Sequence, residues 1–272
     1  IYGNIIYNKA PIVMEMLARK MDTESFKAGI REYLHQYAYG NADWEGLIAI
    51  LDKYTDEDLA AWSHDWVHKP GMPHYKVDSL AQLDLNGLNY GFYELSEELS
   101  NALMKNLPTQ PLYPSEKASA LVILYENYLN RKISGFDYTL FLLDCLESLS
   151  TEDSSQNTLV FRRAISQLGA ILWKEINLQQ TGWELRLTEL VSKSQSESCR
   201  RTAFNALLNA PHSEYTTEMF LQAFLKPENF TCFQLTNADL TQLCQQLAVG
   251  KEEMAPQLIA TQRERLSHPD LI

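Results

Sequence analysis

The sequence is poor in the residues that build tight turns, with 11 glycines and 10 prolines among 272 residues. All-β proteins contain more glycine and proline in their turns, so this scarcity favours a mostly helical protein. No run of 18 apolar residues is present, so we expect no membrane-spanning helix. Basic side chains are also outnumbered, 23 Lys and Arg against 35 Asp and Glu, for a formal net charge of −12. That surplus argues against a nucleic-acid partner, because its phosphates would be repelled.

Cysteine is scarce too. The four cysteines lie at positions 145, 199, 232 and 244, far apart and without the close CxxC spacing of metal or redox motifs. Four in a chain of this length do not make a disulfide scaffold. We therefore expect free thiols.

The first 70 residues carry apolar side chains at helical spacing and predict four short helices. The second is expected to begin at Thr23, and the third to be capped by Asn41 or Asp43. The fourth follows Thr55–Asp58, which resembles a capping box with Asp in place of Glu, and ends before Pro70. The apolar positions of these helices are Ile5, Ile6, Ile12, Val13, Met16 and Leu17, then Phe26, Ile30, Tyr33 and Leu34, then Trp44, Leu47, Ile48 and Leu51, and finally Leu59, Trp62 and Trp66.

The remainder divides into a short linker and a long helical region. Residues 76–95 predict short extended segments around a turn at Asn86–Gly87. Beyond them, the apolar periodicity predicts helices near 96–107, 115–131, 136–150, 157–176, 182–194, 197–209, 216–225, 236–249 and 253–267. One helix pair then takes about 40 residues, which is the period of HEAT-like or armadillo-like repeats. We expect a mostly all-α protein with domains at 1–75 and 96–272.

Four segments resemble, in order, the aminopeptidase N family of zinc metallopeptidases, the gluzincins. Residues 7–17, which read Tyr-Asn-Lys-Ala-Pro-Ile-Val-Met-Glu-Met-Leu, resemble the family's Tyr-Glu-Lys-Gly segment and the apolar helix that follows it. Residues 24–34 and 37–42 resemble its next helix and turn, and residues 59–73 resemble the close of its catalytic domain. The resemblance is strong over residues 1–75 and loose beyond them.

The resemblance implies an architecture. Residues 1–75 would be the helical end of a thermolysin-like catalytic domain, and residues 96–272 the helical-repeat domain that covers the active-site cavity. Many members place a β-sandwich between the two. Only about 15 residues separate Pro73 from Gly87, which is too few for a sandwich.

The resemblance also implies a role for Tyr7, which otherwise fits as an apolar residue before a helix. In the family, this tyrosine donates its hydroxyl to the oxyanion of the tetrahedral intermediate, opposite zinc. The zinc motif His-Glu-x-x-His and the Gly-x-Met-Glu-Asn strand that holds the substrate's amino terminus do not occur in the sequence. The parent enzyme would therefore hold zinc through ligands outside this chain, and no metal is expected here.

Several other features are interpreted as structural. His64–His68 reads His-Asp-x-x-His, but Asp is too short to reach a metal-bound water, so we expect a solvated or capping role over a metal site. Trp44, Trp62 and Trp66 are expected in the core. The pairs Arg162–Arg163 and Arg200–Arg201 are expected on solvated helix faces, with a contact to a peptide carboxylate as the alternative.

Two functions remain open at this point. The first is part of a zinc-dependent aminopeptidase that acts on peptides, with this chain inactive alone. The alternative is a non-catalytic helical-repeat scaffold that binds a peptide or a partner protein. The sequence does not indicate a compartment.

Overall fold

The computed structural model describes residues 7, 9–87, 90–175 and 177–266. Within them the chain is predominantly helical, with a single two-stranded sheet, so the predicted mostly-α fold is confirmed. The chain separates into two compact units, Ile1–Glu94 and Leu95–Ile272. None of the described helices is both long and apolar enough to cross a membrane.

The first unit contains the four predicted helices. They are α1 (Ala10–Lys20), α2 (Thr23–Gln36), α3 (Trp44–Leu51) and α4 (Leu59–Ser63), and α4 continues into a π-helical turn over His64–His68. Two strands follow, β1 (His74–Val77) and β2 (Phe92–Leu95), which pair in parallel. The predicted turn at Asn86–Gly87 lies between them, and Gly87 has a φ of 65° that favours glycine.

Aspartate side chains cap three of these helices, and one of the caps differs from the sequence prediction. Asp43, one of the two predicted caps of α3, accepts from the Gly46 N–H at 2.8 Å. Helix α2 begins at Thr23 as predicted, and its cap is Asp22, which accepts from two backbone N–H groups. The capping box over Thr55–Asp58 is wrong: Asp58 is itself the N-cap of α4, 2.8 Å from the Ala61 N–H. The helix begins three residues later because Leu59 is the first side chain to enter the core.

The core of the first unit lies among α1, α2, α3 and α4. Its fully buried members are Leu17, Met21, Leu47, Ile48, Leu51 and Leu59, with Met14, Phe26, Ile30, Tyr33, Trp44, Tyr54 and Trp62 packed around them. Leu34 was predicted on the same stripe but is 64% exposed, since it lies one residue past Tyr33 and is rotated by about 100° off the buried face. Ile5 and Ile6 lie outside the described residues.

Gly29 allows α2 to approach α3 closely. A Cβ atom at this position would lie 2.6 Å from Cδ2 of Leu51 and 3.3 Å from Cδ2 of Tyr54. Leu51 is completely buried, so its side chain has little room to move aside. The α2–α3 contact therefore requires glycine here.

The second unit consists of nine helices in its described residues, one for each predicted segment. They are α5 (Glu97–Asn106), α6 (Pro114–Leu129), α7 (Gly135–Leu149), α8 (Ser155–Leu172), α9 (Trp183–Lys193), α10 (Glu197–Leu208), α11 (Glu214–Leu225), α12 (Asn237–Gly250) and α13 (Ala255–Arg265). Helix α8 packs against α6, α7 and α10, while α9 packs against α7 and α10. Alternate helices thus contact one another as they do in layered helical arrays, while the HEAT-like or armadillo-like repeat type stays a prediction.

A buried polar network joins three helices of the second unit. The Tyr138 hydroxyl of α7 lies 2.9 Å from Oε1 of Gln167 on α8 and 3.2 Å from the Leu121 carbonyl oxygen of α6. Nε2 of Gln167 donates to the same carbonyl at 3.1 Å. Burial raises the pKa of Tyr138 well above its ordinary value, so the hydroxyl keeps its proton and remains a donor.

All four cysteines are free thiols, as expected.

The close approach at Gly29 predicts the outcome of a glycine comparison. Gly29→Ala should destabilise the chain by roughly 1–3 kcal/mol, because the added methyl group overlaps Leu51. Gly169→Ala, in the last turn of α8, is the matched control, since an added Cβ there meets nothing within 4 Å. It should stabilise by about 0.5–1 kcal/mol through helix propensity alone. Urea denaturation followed by circular dichroism measures both, and equal effects would contradict the packing role of Gly29.

Candidate functional site

Tyr7 lies at the entrance to α1 with its side chain in solvent. The backbone is π-helical at Tyr7 and Lys9, and α1 begins at Ala10 with a proline in its first turn. The Tyr7 side chain is 79% exposed, and its hydroxyl makes no hydrogen bond to another described residue. Its phenol is therefore available to a ligand and contributes little to the packing of α1.

Lys9 connects the entrance of α1 to the segment before β2. Its ammonium group lies 5.9 Å from the centroid of the Tyr90 ring, within the range of a cation–π contact. The N-cap position of α1 carries no side-chain cap. The first turn is thus held by Lys9 and by the proline, which needs no hydrogen-bond partner for its nitrogen.

An apolar recess of about 160 Å³ lies beside this entrance. It is lined by Lys9, Ala10, Val13, Met14, Trp44, Trp66 and Val67. Trp44 is fixed in place, because its indole N–H donates to Oγ of Ser63 at 2.7 Å. Trp44 and Trp62 pack on the core as predicted, whereas Trp66 lines the recess. The change to π-helical geometry at His64 turns Trp66 off the face that Leu59 and Trp62 share.

Each of three histidines in the first unit lies close to one carboxylate. Nδ1 of His64 lies 3.6 Å from Asp65, and Nε2 of His68 lies 3.7 Å from Glu45. His74 has its own partner, Glu94, at 2.7 Å. Across the described ranges, no three His, Cys, Asp or Glu side chains come together in a way that could hold a metal ion. The described residues therefore do not fit a zinc site.

A larger groove lies in the second unit, between α8 and α10. Its volume is about 540 Å³, and its lining includes Arg162, Trp173 and Asn205. Sequence reasoning missed it. Two features of the sequence could have indicated this groove. Arg201, Asn205 and Asn209 recur every four residues and so share one face of α10, and Trp173 follows α8.

The arginines near this groove differ from one another. Arg162 and Arg163 lie on an exposed helix face, as predicted. The prediction is wrong for the other pair. Arg201 is held by Glu197, Asp239 and the Gln234 carbonyl oxygen, and Arg200 donates to the carbonyl oxygens of Ser194 and Gln195. Guanidinium groups reach these acceptors because the loops before α10 and α12 fold back toward it.

Comparison with known proteins finds a family match over the segment that contains Tyr7. Residues 1–66 match the peptidase family M1 domain. Similar proteins include aminopeptidase N of Lactococcus lactis subsp. cremoris, strain MG1363, which is 36% identical over 69 residues, or 25% of this chain and 8% of the relative. Aminopeptidase M1-D of Oryza sativa subsp. japonica is 33% identical over 73 residues, 27% of this chain and 8% of the relative. Probable aminopeptidase 1 of Saccharolobus solfataricus is 28% identical over 72 residues, 26% of this chain and 9% of the relative.

The matches are short but fall on the segments that the sequence singled out. They span less than a tenth of the length of these relatives, while the matched family segment includes Tyr7, α1, α2, α3 and α4. The looser resemblance of residues beyond 75 stays a prediction. Residues 1–66 of this chain are therefore similar to the peptidase family M1 domain, and the three similar proteins named above are aminopeptidases.

Proposed function

We propose that this chain is part of a zinc-dependent aminopeptidase that removes N-terminal residues from peptides, with Tyr7 as its oxyanion-stabilising residue. The match of residues 1–66 to the peptidase family M1 domain carries the proposal. The exposure of the Tyr7 side chain, 79%, supports it, because a catalytic phenol must reach substrate. In this proposal, residues 96–272 form the helical domain that covers the active-site cavity.

The chemistry assigned to Tyr7 is transition-state stabilisation. When water adds to a peptide carbonyl, the carbonyl oxygen gains negative charge that is absent from the ground state. A phenol hydroxyl carries its proton at neutral pH and is a directional donor. Its hydrogen bond therefore strengthens as the oxyanion forms, which lowers the barrier without tightening ground-state binding.

The remaining catalytic groups are assigned to residues outside this chain. Zinc, when bound in the parent protein, activates the attacking water, and a glutamate acts as the general base. The surplus of acidic residues, with a net charge of −12, suits a protein that attracts the positively charged amino terminus of a peptide.

The isolated 272-residue chain is expected to be inactive. Without a ligand set for zinc, it should hydrolyse aminoacyl-nitroanilides no faster than buffer and should retain only substoichiometric zinc after dialysis. Metal analysis and a chromogenic assay measure both quantities. The double variant His64→Ala/His68→Ala is the control for adventitious zinc on the exposed π-helical turn. Zinc-dependent turnover by the wild-type chain would overturn the expectation.

The role of Tyr7 is tested in the longest natural form of the protein. The coding sequence upstream of Ile1 is first searched for His-Glu-x-x-His. If it is present, Tyr7→Phe in that longer protein should lower kcat by about 10²–10³-fold with KM nearly unchanged, because an oxyanion donor acts in the transition state. Zinc content should stay the same.

Two controls separate chemistry from folding. Tyr39→Phe removes the hydroxyl of another exposed tyrosine and should leave kcat unchanged. Tyr7→Phe should also change the free energy of unfolding by less than about 0.5 kcal/mol, as surface substitutions do. Ser63→Ala, by contrast, leaves the Trp44 indole without its partner and should cost roughly 1–3 kcal/mol. Full activity of the Tyr7→Phe enzyme would remove Tyr7 from the mechanism.

A non-catalytic peptide-binding scaffold is the second candidate function, and the groove between α8 and α10 favours it. This candidate predicts an initiator methionine just before Ile1 and no zinc motif in the gene. The same upstream coding sequence therefore decides between the two functions.

A further inference from the structure

The groove of the second unit has the make-up of a binding site. Its floor is formed by small or buried residues, Ile165, Gly169, Ala206 and Ala210. Its polar lining residues are Arg162, Ser198, Arg201, Thr202, Asn205 and Asn209. Its volume of about 540 Å³ falls within the range of roughly 300–1,000 Å³ found for ligand clefts. The groove is shallow and open, so an extended chain can pass through it without ending there.

Arg162 supplies a positive charge that no described carboxylate neutralises. The side chain is exposed, and its one hydrogen bond among described residues is from Nη2 to Oγ of Ser198, at 3.0 Å. Arg201, on the same groove, is different, because Glu197 and Asp239 each lie 2.8 Å from its guanidinium. The attraction of the groove for an anion therefore centres on Arg162, whose planar guanidinium matches a carboxylate through two parallel hydrogen bonds.

Asn205 supplies a polar group that lacks a partner. Its Oδ1 atom is buried and accepts no hydrogen bond, and its amide nitrogen makes none to a described residue. A buried acceptor left in this state costs free energy, roughly 1–3 kcal/mol. A carboxamide has one acceptor and two donors, which is the complement of a peptide's backbone N–H and C=O.

Trp173 supplies a fixed apolar surface. Its indole N–H donates to the Asn209 carbonyl oxygen at 3.0 Å, which sets the ring orientation, yet the side chain is 69% exposed. Beside it, Gly169 leaves open space where a side chain would stand. An exposed, oriented tryptophan next to a gap is suited to hold one apolar side chain of a ligand.

We propose that this groove binds an extended segment of a partner protein that carries an aspartate or glutamate. The acidic side chain pairs with Arg162, a backbone carbonyl oxygen accepts from Nδ2 of Asn205, which is not among the buried atoms, and a neighbouring apolar side chain packs on Trp173. The site lies wholly within the second unit and goes beyond the proposed peptidase function, on which it does not depend.

The test uses the whole 272-residue chain and a pair of blocked peptides. Both are N-acetylated and C-amidated octapeptides of Ala, Ser and Leu, one with a central Glu and the other with Gln in its place. Two-dimensional ¹H–¹⁵N spectra are recorded at peptide concentrations up to about 5 mM, which covers weak specific binding. The Glu peptide should shift the Trp173 indole and Asn205 side-chain signals saturably, and the Gln peptide should bind at least about tenfold more weakly.

Matched variants locate the interaction. Arg162→Ala should weaken the Glu peptide about tenfold or more, while Arg163→Ala, which removes an adjacent exposed arginine outside the groove lining, should leave its Kd unchanged. Asn205→Leu should also weaken binding, because it removes the side-chain N–H donor for the ligand's backbone. Unchanged circular dichroism verifies that each variant is folded.

Three outcomes overturn the proposal. They are the absence of saturable shifts with the Glu peptide, equal binding of the Gln peptide, and shifts that map outside the groove.

A peptide whose only carboxylate is its C terminus is included as a further arm. If it binds while the blocked Glu peptide does not, the groove recognises chain ends, and an internal acidic segment is excluded. None of these readouts involves hydrolysis, so failure here leaves the peptidase proposal standing, and the reverse also holds.

Discussion

The buried hydrogen bonds among Tyr138, Gln167 and the Leu121 carbonyl oxygen are the constraint on which the second unit depends. Three helices meet there and bury the Gln167 side chain, so its carboxamide must find its partners in the protein. It does so only when α6, α7 and α8 take one relative rotation. An apolar contact would tolerate several rotations, whereas this network tolerates one.

The same rotation decides what the opposite side of α8 presents. With Gln167 directed at α6 and α7, the positions 162, 165 and 169 fall on the side that faces α10 and line the groove. One side of α8 therefore holds the helices together, and its opposite side lines the groove. A polar residue in the core selects the arrangement, and the arrangement leaves Arg162 and Asn205 without full sets of partners.

The first unit shows a similar separation between residues that hold the fold and residues that are free to act. Val13 and Leu17 anchor α1 in the core, and Gly29 draws α2 onto α3. Tyr7 lies just before α1 and takes no part in that packing. Such an arrangement suits a catalytic side chain, because a rigid helix sets its position while its hydroxyl stays available.

The sequence alone determined much of the local structure and the resemblance of residues 1–66 to a peptidase family. Periodic apolar residues predicted α1 to α13, and Asp43 was one of two candidate caps for α3. The segment around Tyr7 indicated a resemblance to the aminopeptidases. Each of these signals lies within a few neighbouring residues. Its errors, the cap at Thr55, the burial of Leu34 and the solvated Arg200 and Arg201, arose where packing overrides local preference. Only the tertiary structure decided the network at Gln167 and the groove at Arg162. Gln167 bonds to Leu121, 46 residues away, and Arg162 bonds to Ser198, 36 residues away. A local sequence pattern does not indicate which faces of two distant helices will pack together.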